Sequence, residues 1–273
     1  MLTIGVIRKD AWAKMFGIYT QQLIKDKTTL DAVIVYFDNE KDLMNALAGG
    51  NVSVVPRPLR ELLTTLPNGI VITAVSERQI ASQSLIIPIK NTEANQLLSL
   101  KKNAKVSLQN DITRLQFLEF RADILAETYD LTPVESIEKL NHGDFDACVI
   151  PSISVKVMAL SSDNYTIIPF SPKELITESG LGITAFLTAT DDLTTRRQLK
   201  ILHTPSVSAL SNVERRLKQL FNDADIAAYC EKDRANNYHL WAAAIINNEL
   251  KKTRLSQSTH FELAERCFEK LHQ

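Results

Sequence analysis

The chain has 273 residues, with 31 Lys+Arg against 32 Asp+Glu, a net charge of -1, and 8 glycines. Near neutrality excludes bulk attraction to nucleic acid or to an anionic membrane surface. About 3% glycine, against a usual ~7%, leaves few places where backbone can approach a phosphate; no GxGxxG and no GxxxxGK[ST] occurs, and no apolar run reaches the ~18 residues of a membrane span.

In chain order, the pattern predicts a strand over Leu2–Ile7 and a helix from Asp10 to about Lys25. The helix carries Trp12, Met15, Phe16, Tyr19 and Leu23 at helical spacing. A strand at Ala32–Phe37 and a helix at Glu40–Ala48, stopped by Gly49-Gly50, come next. Strands are then predicted at Val52–Val55, Ile70–Val75 and Leu85–Ile89, with a crossover over Lys90–Lys105. A second strand–helix series follows: strand Lys105–Leu108, helix Asp111–Phe120 and strand Ile124–Glu127. Its next helix is capped by Thr132 with Pro133 at the first position, and it stops at His142-Gly143. Strand Phe145–Ile150, a short helix to Leu160, and strands Thr166–Phe170 and Ile183–Leu187 complete it.

Past Ala189 the pattern changes. Helical stretches Asp192–Leu202 and Pro205–Phe221 carry Arg196, Arg197, Lys200, Arg215, Arg216 and Lys218. Asp223, Asp225, Glu231, Lys232, Asp233 and Arg234 read as a charged loop. A strand pair, His239–Ile246 and Thr253–Ser256, precedes an amphipathic helix from about Thr259. Alternating strands and helices predict α/β units, and the tail predicts a small α+β domain.

Cys148, Cys230 and Cys267 are odd in number and widely spaced, which fits neither a disulfide framework nor a zinc site. The five histidines have no metal-ligand spacing, and no GxSxG marks a serine nucleophile. No basic segment followed by an apolar one opens the sequence, so the expected location is the cytoplasm.

Several collinear segments carry a family resemblance. They are Ile4-Gly5 with Arg8-Lys9, Asp42–Gly50, and Pro58-Leu59-Arg60-Glu61 with Leu66–Ile70 and Glu77-Arg78. In the second half they are Arg121-Ala122-Asp123-Ile124, Lys139–Ala147, Gly180-Leu181-Gly182, Asp191-Asp192 and Glu214-Arg215. Together these resemble porphobilinogen deaminase (hydroxymethylbilane synthase), whose members condense four porphobilinogens head to tail with loss of ammonia in tetrapyrrole biosynthesis. The resemblance implies an α/β fold of two domains facing each other across a cleft, like type II periplasmic binding proteins, plus a small α+β domain. Residues 1–89 with 171–195 would form the first domain, 90–170 the second and 196–273 the third.

The resemblance also assigns roles. Glu61 stands where the family has its catalytic Asp, one methylene longer; its other reading is a solvated Glu on a short helix. Arg8, Lys9, Arg57 and Arg60 would hold the substrate carboxylates, or else form a solvated basic turn. Asp10 replaces a serine and would repel those carboxylates. The family's G-[ST]-S-x-R-R turn aligns with Ser107–Thr113, which has neither the glycine nor the arginine pair, Arg114 being one position off. Its R-G-N-x-x-T-R aligns with Asp130–Ser136, which has no arginine. The glycine-containing lid is reduced to Asp38–Lys41, too short to cover a site.

The family's dipyrromethane cofactor hangs by a thioether from a cysteine whose place is taken by Asn222 or Asp225. Cys230 lies a few residues on and would serve only if the loop shifted, so no cofactor is expected. The expected function is therefore a divergent hydroxymethylbilane synthase-like protein with reduced or absent activity. Two alternatives stay open: a non-catalytic relative holding another small anionic ligand in the cleft, and an interaction protein using the basic helices of Asp192–Phe221. Neither nucleic acid nor membrane is an expected partner.

Overall fold

The computed structural model describes residues 1–62, 64–222 and 226–273. The chain forms two compact units, Met1–Arg78 with Ile183–Ser211, and Gln79–Gly182 with Asn212–Gln273.

In the first unit, β1 (Leu2–Ile7) and β2 (Ala32–Phe37) pair in parallel, joined by α1 (Ala11–Lys27). Asp10 is the N-cap of α1: its Oδ1 accepts the Ala13 N–H at 2.9 Å. α2 (Glu40–Ala48) is capped by Asn39 and buries Leu43 and Leu47. β3 (Val55–Pro58), β4 (Ile70–Val75) and β10 (Thr184–Ala189) form a second sheet, β10 lying between and antiparallel to both. The strand predicted at Val52–Val55 thus lies later, at Val55–Pro58. Its two prolines lack N–H donors, which an edge strand tolerates. α6 (Leu193–Leu199) follows, and α7 (Pro205–Leu220) starts in this unit and ends in the second. Leu2, Ile4, Val6, Ile24, Ala74 and Phe186 form the main core.

The second unit contains a five-stranded sheet of β5 (Gln83–Pro88), β6 (Lys105–Leu108), β7 (Leu125–Thr128), β8 (Ala147–Pro151) and β9 (Tyr165–Pro169), in the order β7-β6-β8-β5-β9. β6 runs parallel to β7 and β8, and β5 antiparallel to β8 and β9. α3 (Asp111–Phe120) and α4 (Pro133–His142) are its main helices, with the short α5 (Ser152–Val157) after β8. The cap expected at Thr132 is a complete capping box with Glu135, and Gly143 closes α4 in the left-handed conformation at φ 88°.

A separate antiparallel sheet, β11 (Ile226–Lys232), β12 (Tyr238–Ile246) and β13 (Glu249–Gln257), is followed by α8 (Leu263–Leu271). β11 corrects the charged-loop reading of Glu231 and Lys232. The apolar run Ile226–Cys230 ahead of them is buried except for the half-buried Tyr229, so only the strand's end is charged. Asp223 and Asp225 lie outside the described residues. The architecture is mixed α/β, with the expected antiparallel sheet and helix at the C-terminal end.

Two glycines differ in what they tolerate. A Cβ on Gly5 would meet Leu43 Cδ1, the movable tip of a side chain, at 2.4 Å. On Gly182, at φ +78°, it would meet the Ile80 carbonyl oxygen at 2.6 Å, and backbone cannot step aside. Gly182→Ala is expected to cost about 2–3 kcal/mol and Gly5→Ala about 1 kcal/mol. Urea unfolding midpoints that rank the two the other way would refute this account.

Candidate functional site

The residues assigned by resemblance to the first unit gather where β1, β2 and β3 end. Arg8 and Lys9 follow β1, and both are exposed. Arg8 Nε donates to Asp38 Oδ1 at 3.1 Å, and the guanidinium lies 5.6 Å from the Tyr36 ring centroid. Arg57, on β3, pairs with Glu40 at the start of α2. Its side chain is only 15% exposed. Burial pulls its guanidinium below the ordinary value, against the opposing pull of the Glu61 and Asp10 carboxylates. Arg60 and Glu61 sit on the short 3-10 turn Leu59–Glu61, with Arg60 Nη2 3.4 Å from Glu61 Oε1. The Glu61 side chain is 43% exposed.

Three arginines expected to hold substrate carboxylates therefore each face a carboxylate of this chain. The segments Arg8–Asp10, Asp38–Glu40 and Arg57–Glu61 together carry four cations (Arg8, Lys9, Arg57, Arg60) and four anions (Asp10, Asp38, Glu40, Glu61), net zero. Asp38 and Glu40 were not picked out from the sequence. The missing signal was contact across the strand ends, which local spacing does not carry.

In the second unit the turns that align with the family's arginine loops are occupied by capping chemistry. Asn110 accepts the Thr113 N–H at 2.8 Å and donates to Glu178 Oε1 at 2.8 Å. Arg114 Nε donates to Asp111 Oδ1 at 2.8 Å on its own helix. In Asp130–Ser136, Glu135 receives the Thr132 N–H at 2.8 Å, and these cap bonds hold its carboxyl below the ordinary range. Of the basic residues on α6 and α7, Arg196 donates to the Thr190 carbonyl and Arg216 to Glu265.

A thioether anchor requires a thiol that opens toward its cofactor. Cys148, Cys230 and Cys267 are all buried, at 1% exposure or less, and none is in a disulfide. Burial pushes the Cys148 and Cys267 thiols up to about 12. Cys230 lies within β11, opposite Leu240, and its N–H donates to Glu214 Oε1 at 2.7 Å. These cysteines do not fit a thioether-bound dipyrromethane. Of the two positions aligned with the family's cysteine, Asn222 has φ 54° and Asp225 lies outside the described residues. Among the described residues no group of three or more His, Cys, Asp or Glu could hold a metal, and no helix is long and apolar enough to cross a membrane.

Comparison with known proteins places this geometry. Residues 39–197 match the family "Porphobilinogen deaminase, dipyromethane cofactor binding domain". The chain is 25% identical over 142 residues to the porphobilinogen deaminase of Sulfurimonas denitrificans, covering 52% of this chain and 44% of that protein. It is 25% identical over 177 residues to that of Chlorobaculum parvum, covering 65% and 55%. The matches thus span about half the length of these curated relatives. Solved structures similar to the chain include the Bordetella pertussis BvgS VFT2 domain, at TM-score 0.47 and 17% identity, covering 79% of this chain and 92% of that one. The methionine binding protein MetQ is similar at TM-score 0.47 and 15% identity, covering 84% and 98%. The family match takes in more than half of the chain, including Arg57, Arg60, Glu61 and the two remodelled arginine turns, and the chain belongs to the porphobilinogen deaminase family.

Proposed function

We propose that this chain is a divergent member of the tetrapyrrole-forming family that has given up the four-unit condensation and binds a different small ligand at the ends of β1, β2 and β3. The carrying observation is the pairing of Arg8 with Asp38, Arg57 with Glu40 and Arg60 with Glu61. A pyrrole bearing acetate and propionate would have to displace these internal carboxylates. The net charge of zero over the three segments gives it no electrostatic gain for doing so. The buried cysteines support the same reading for the cofactor. The division into 1–89 with 171–195, 90–170 and 196–273 belongs to this proposal, and the separate sheet β11–β12–β13 supports its last part.

The test is the intact mass of the purified chain together with porphobilinogen turnover. The expected result is an unmodified mass and no turnover. A covalent dipyrromethane with product formation would overturn the proposal and restore Glu61 to the catalytic role that its partly exposed carboxylate would allow.

A charge-restoring variant tests the electrostatic part. Asp10→Ser keeps a capping oxygen on α1, and Glu40→Gln releases Arg57. Together they leave four cations against two anions in the three segments. Calorimetry is expected to detect porphobilinogen binding to this double variant and none to the parent. Equal behaviour of the two would count against charge neutralisation as the cause.

A further inference from the structure

The sheet β11–β12–β13 carries a hydrogen-bonded chain that the family's reaction does not use. His239 lies directly opposite Ser256 in the β12–β13 register. Its Nδ1 is 2.7 Å from Ser256 Oγ, and its Nε2 is 2.9 Å from Asp233 Oδ2. The partners fix the tautomer. Arg254 Nη2 stands 3.4 Å from Nδ1, and a guanidinium can only donate. Nδ1 is therefore the lone-pair nitrogen, the ring proton is on Nε2 facing Asp233, and the Ser256 hydroxyl donates to Nδ1.

The acid is itself fixed. Asp233 Oδ1 accepts the Asn237 N–H at 2.8 Å, and the bond from His239 holds its carboxyl below the ordinary range, in the charged acceptor form. The His239 side chain is 13% exposed, while Ser256 is exposed. Trp241 and Arg254 are paired across the strands one row further along the same face. The Trp241 ring is 5.8 Å from that of His239, and the Arg254 guanidinium lies 5.0 Å from the Trp241 centroid. A nucleophile bonded to a base, with that base oriented by a carboxylate, is the arrangement that activates a serine, and it is recognised by geometry rather than by sequence motif.

We propose that Ser256 is a nucleophile that takes acyl groups from small carboxylic esters, with His239 as its general base and Asp233 positioning His239. Ser256 Oγ forms a bond to the ester carbonyl carbon as its proton passes to Nδ1. The Arg254 guanidinium, 3.4 Å from Nδ1, is the cation at hand for the oxygen that gains negative charge. The carbon–alkoxy bond then breaks, and the departing alcohol takes the proton from Nδ1. Water, deprotonated by the same nitrogen, releases the acid and restores the serine.

The test uses a fluorophosphonate probe on the full chain. An Oγ–phosphorus bond forms, fluoride leaves, and the hydroxyl proton passes to His239. Mass spectrometry is expected to place a single adduct on Ser256, and Ser256→Ala, a change at an exposed position, is expected to remain unlabelled. His239→Gln is expected to slow labelling by about 10²-fold or more. No adduct in the parent, or equal labelling of Ser256→Ala, would overturn the proposal. For Asp233, a purely structural role would not move the tautomer. Asp233→Asn is expected to shift the His239 ¹⁵N resonances away from the Nε2–H pattern and to slow labelling with it. Unchanged resonances and rate would remove Asp233 from the assignment.

Discussion

Replacing Arg121 by Ala is expected to destabilise the second unit by about 3 kcal/mol, from the loss of a buried cation's hydrogen bonds and of its carboxylate partner. Arg121 is 5% exposed and closes α3. Its Nε and Nη2 meet the two Asp123 oxygens at 2.6 and 2.7 Å, and Nη1 donates to the carbonyls of Leu97 and Leu100. Those carbonyls lie in the crossover between β5 and β6, where Leu98 and Ser99 have φ 56° and 53°. One guanidinium thus holds an otherwise irregular segment, and its removal takes the donor from the buried Leu100 carbonyl. Lys is expected to recover little, because a point charge cannot reproduce a planar fork. The readout is urea unfolding followed by Trp241 fluorescence, with Trp12 replaced by Phe so that α1 is silent. An Arg121→Ala midpoint equal to the parent's would refute the assignment.

The same pair predicts a pH dependence. The Arg121 guanidinium holds the Asp123 carboxyl below its ordinary value. A depressed folded-state pKa gives stability that is fully present above the unfolded value, about 3.9. It is lost as pH falls through the folded value. The difference in unfolding midpoint between the parent and Asp123→Asn is therefore expected to persist at neutral pH and to close only in acid. A difference that widens in acid would contradict the sign.

The strength of local periodicity decided what was legible in the sequence. α1, α2, α3 and α4 follow from apolar spacing, from the Gly49-Gly50 and His142-Gly143 stops and from the cap at Thr132, all of them local signals, whereas the caps at Asp10, Asn39 and Asn110 emerge only in the structure. β3 was displaced because prolines argue against a strand unless the edge position is known, and that position depends on β10, more than 120 residues later. β11 was lost among charged neighbours. The strand pair that carries His239 and Ser256 is legible, but the register that sets them opposite each other and the Asp233–His239 bond ahead of β12 are not, since no local pattern fixes either. The candidate site followed the same rule. Arg8, Arg57, Arg60 and Glu61 could be named by resemblance, whereas their pairing with Asp38 and Glu40 depends on the geometry of strand ends.

The segments that retain the family pattern share a physical role. Arg121-Ala122-Asp123 holds the crossover, Gly180-Leu181-Gly182 makes a turn with two positive φ angles, and Glu214 reaches into it. The segments that depart from the pattern, Ser107–Thr113 and Asp130–Ser136, have become caps that satisfy this chain's own backbone. Folding requirements account for what persists. Ligand requirements of the family do not account for what replaced the rest, which fits the proposed change of ligand.

Glu214→Ala is expected to cost about 3 kcal/mol, the sum of two buried N–H groups left without an acceptor at ~1–3 kcal/mol each. Glu214 is fully buried on α7. Its Oε2 accepts the Gly180 N–H at 2.8 Å, and its Oε1 accepts the Cys230 N–H at 2.7 Å. β11 is an edge strand, and its outer N–H groups need partners. Thr177 supplies the carbonyl for Ala228 at 2.9 Å, and Glu214 continues that cover one position along the same edge. Glutamine does not solve the problem. Its amide presents one acceptor oxygen and two donors, so one of the two backbone N–H groups would face another donor. Glu214→Gln is therefore expected to fall close to Glu214→Ala in stability, whereas a role resting on volume alone would place it close to the parent. The distinction bears on both functional proposals. A parent-like Gln variant would mean that β11 is held by packing, and that Cys230 could move toward a cofactor at little cost. Equal destabilisation would tie Cys230 to the carboxylate and keep the Asp233–His239–Ser256 face in register.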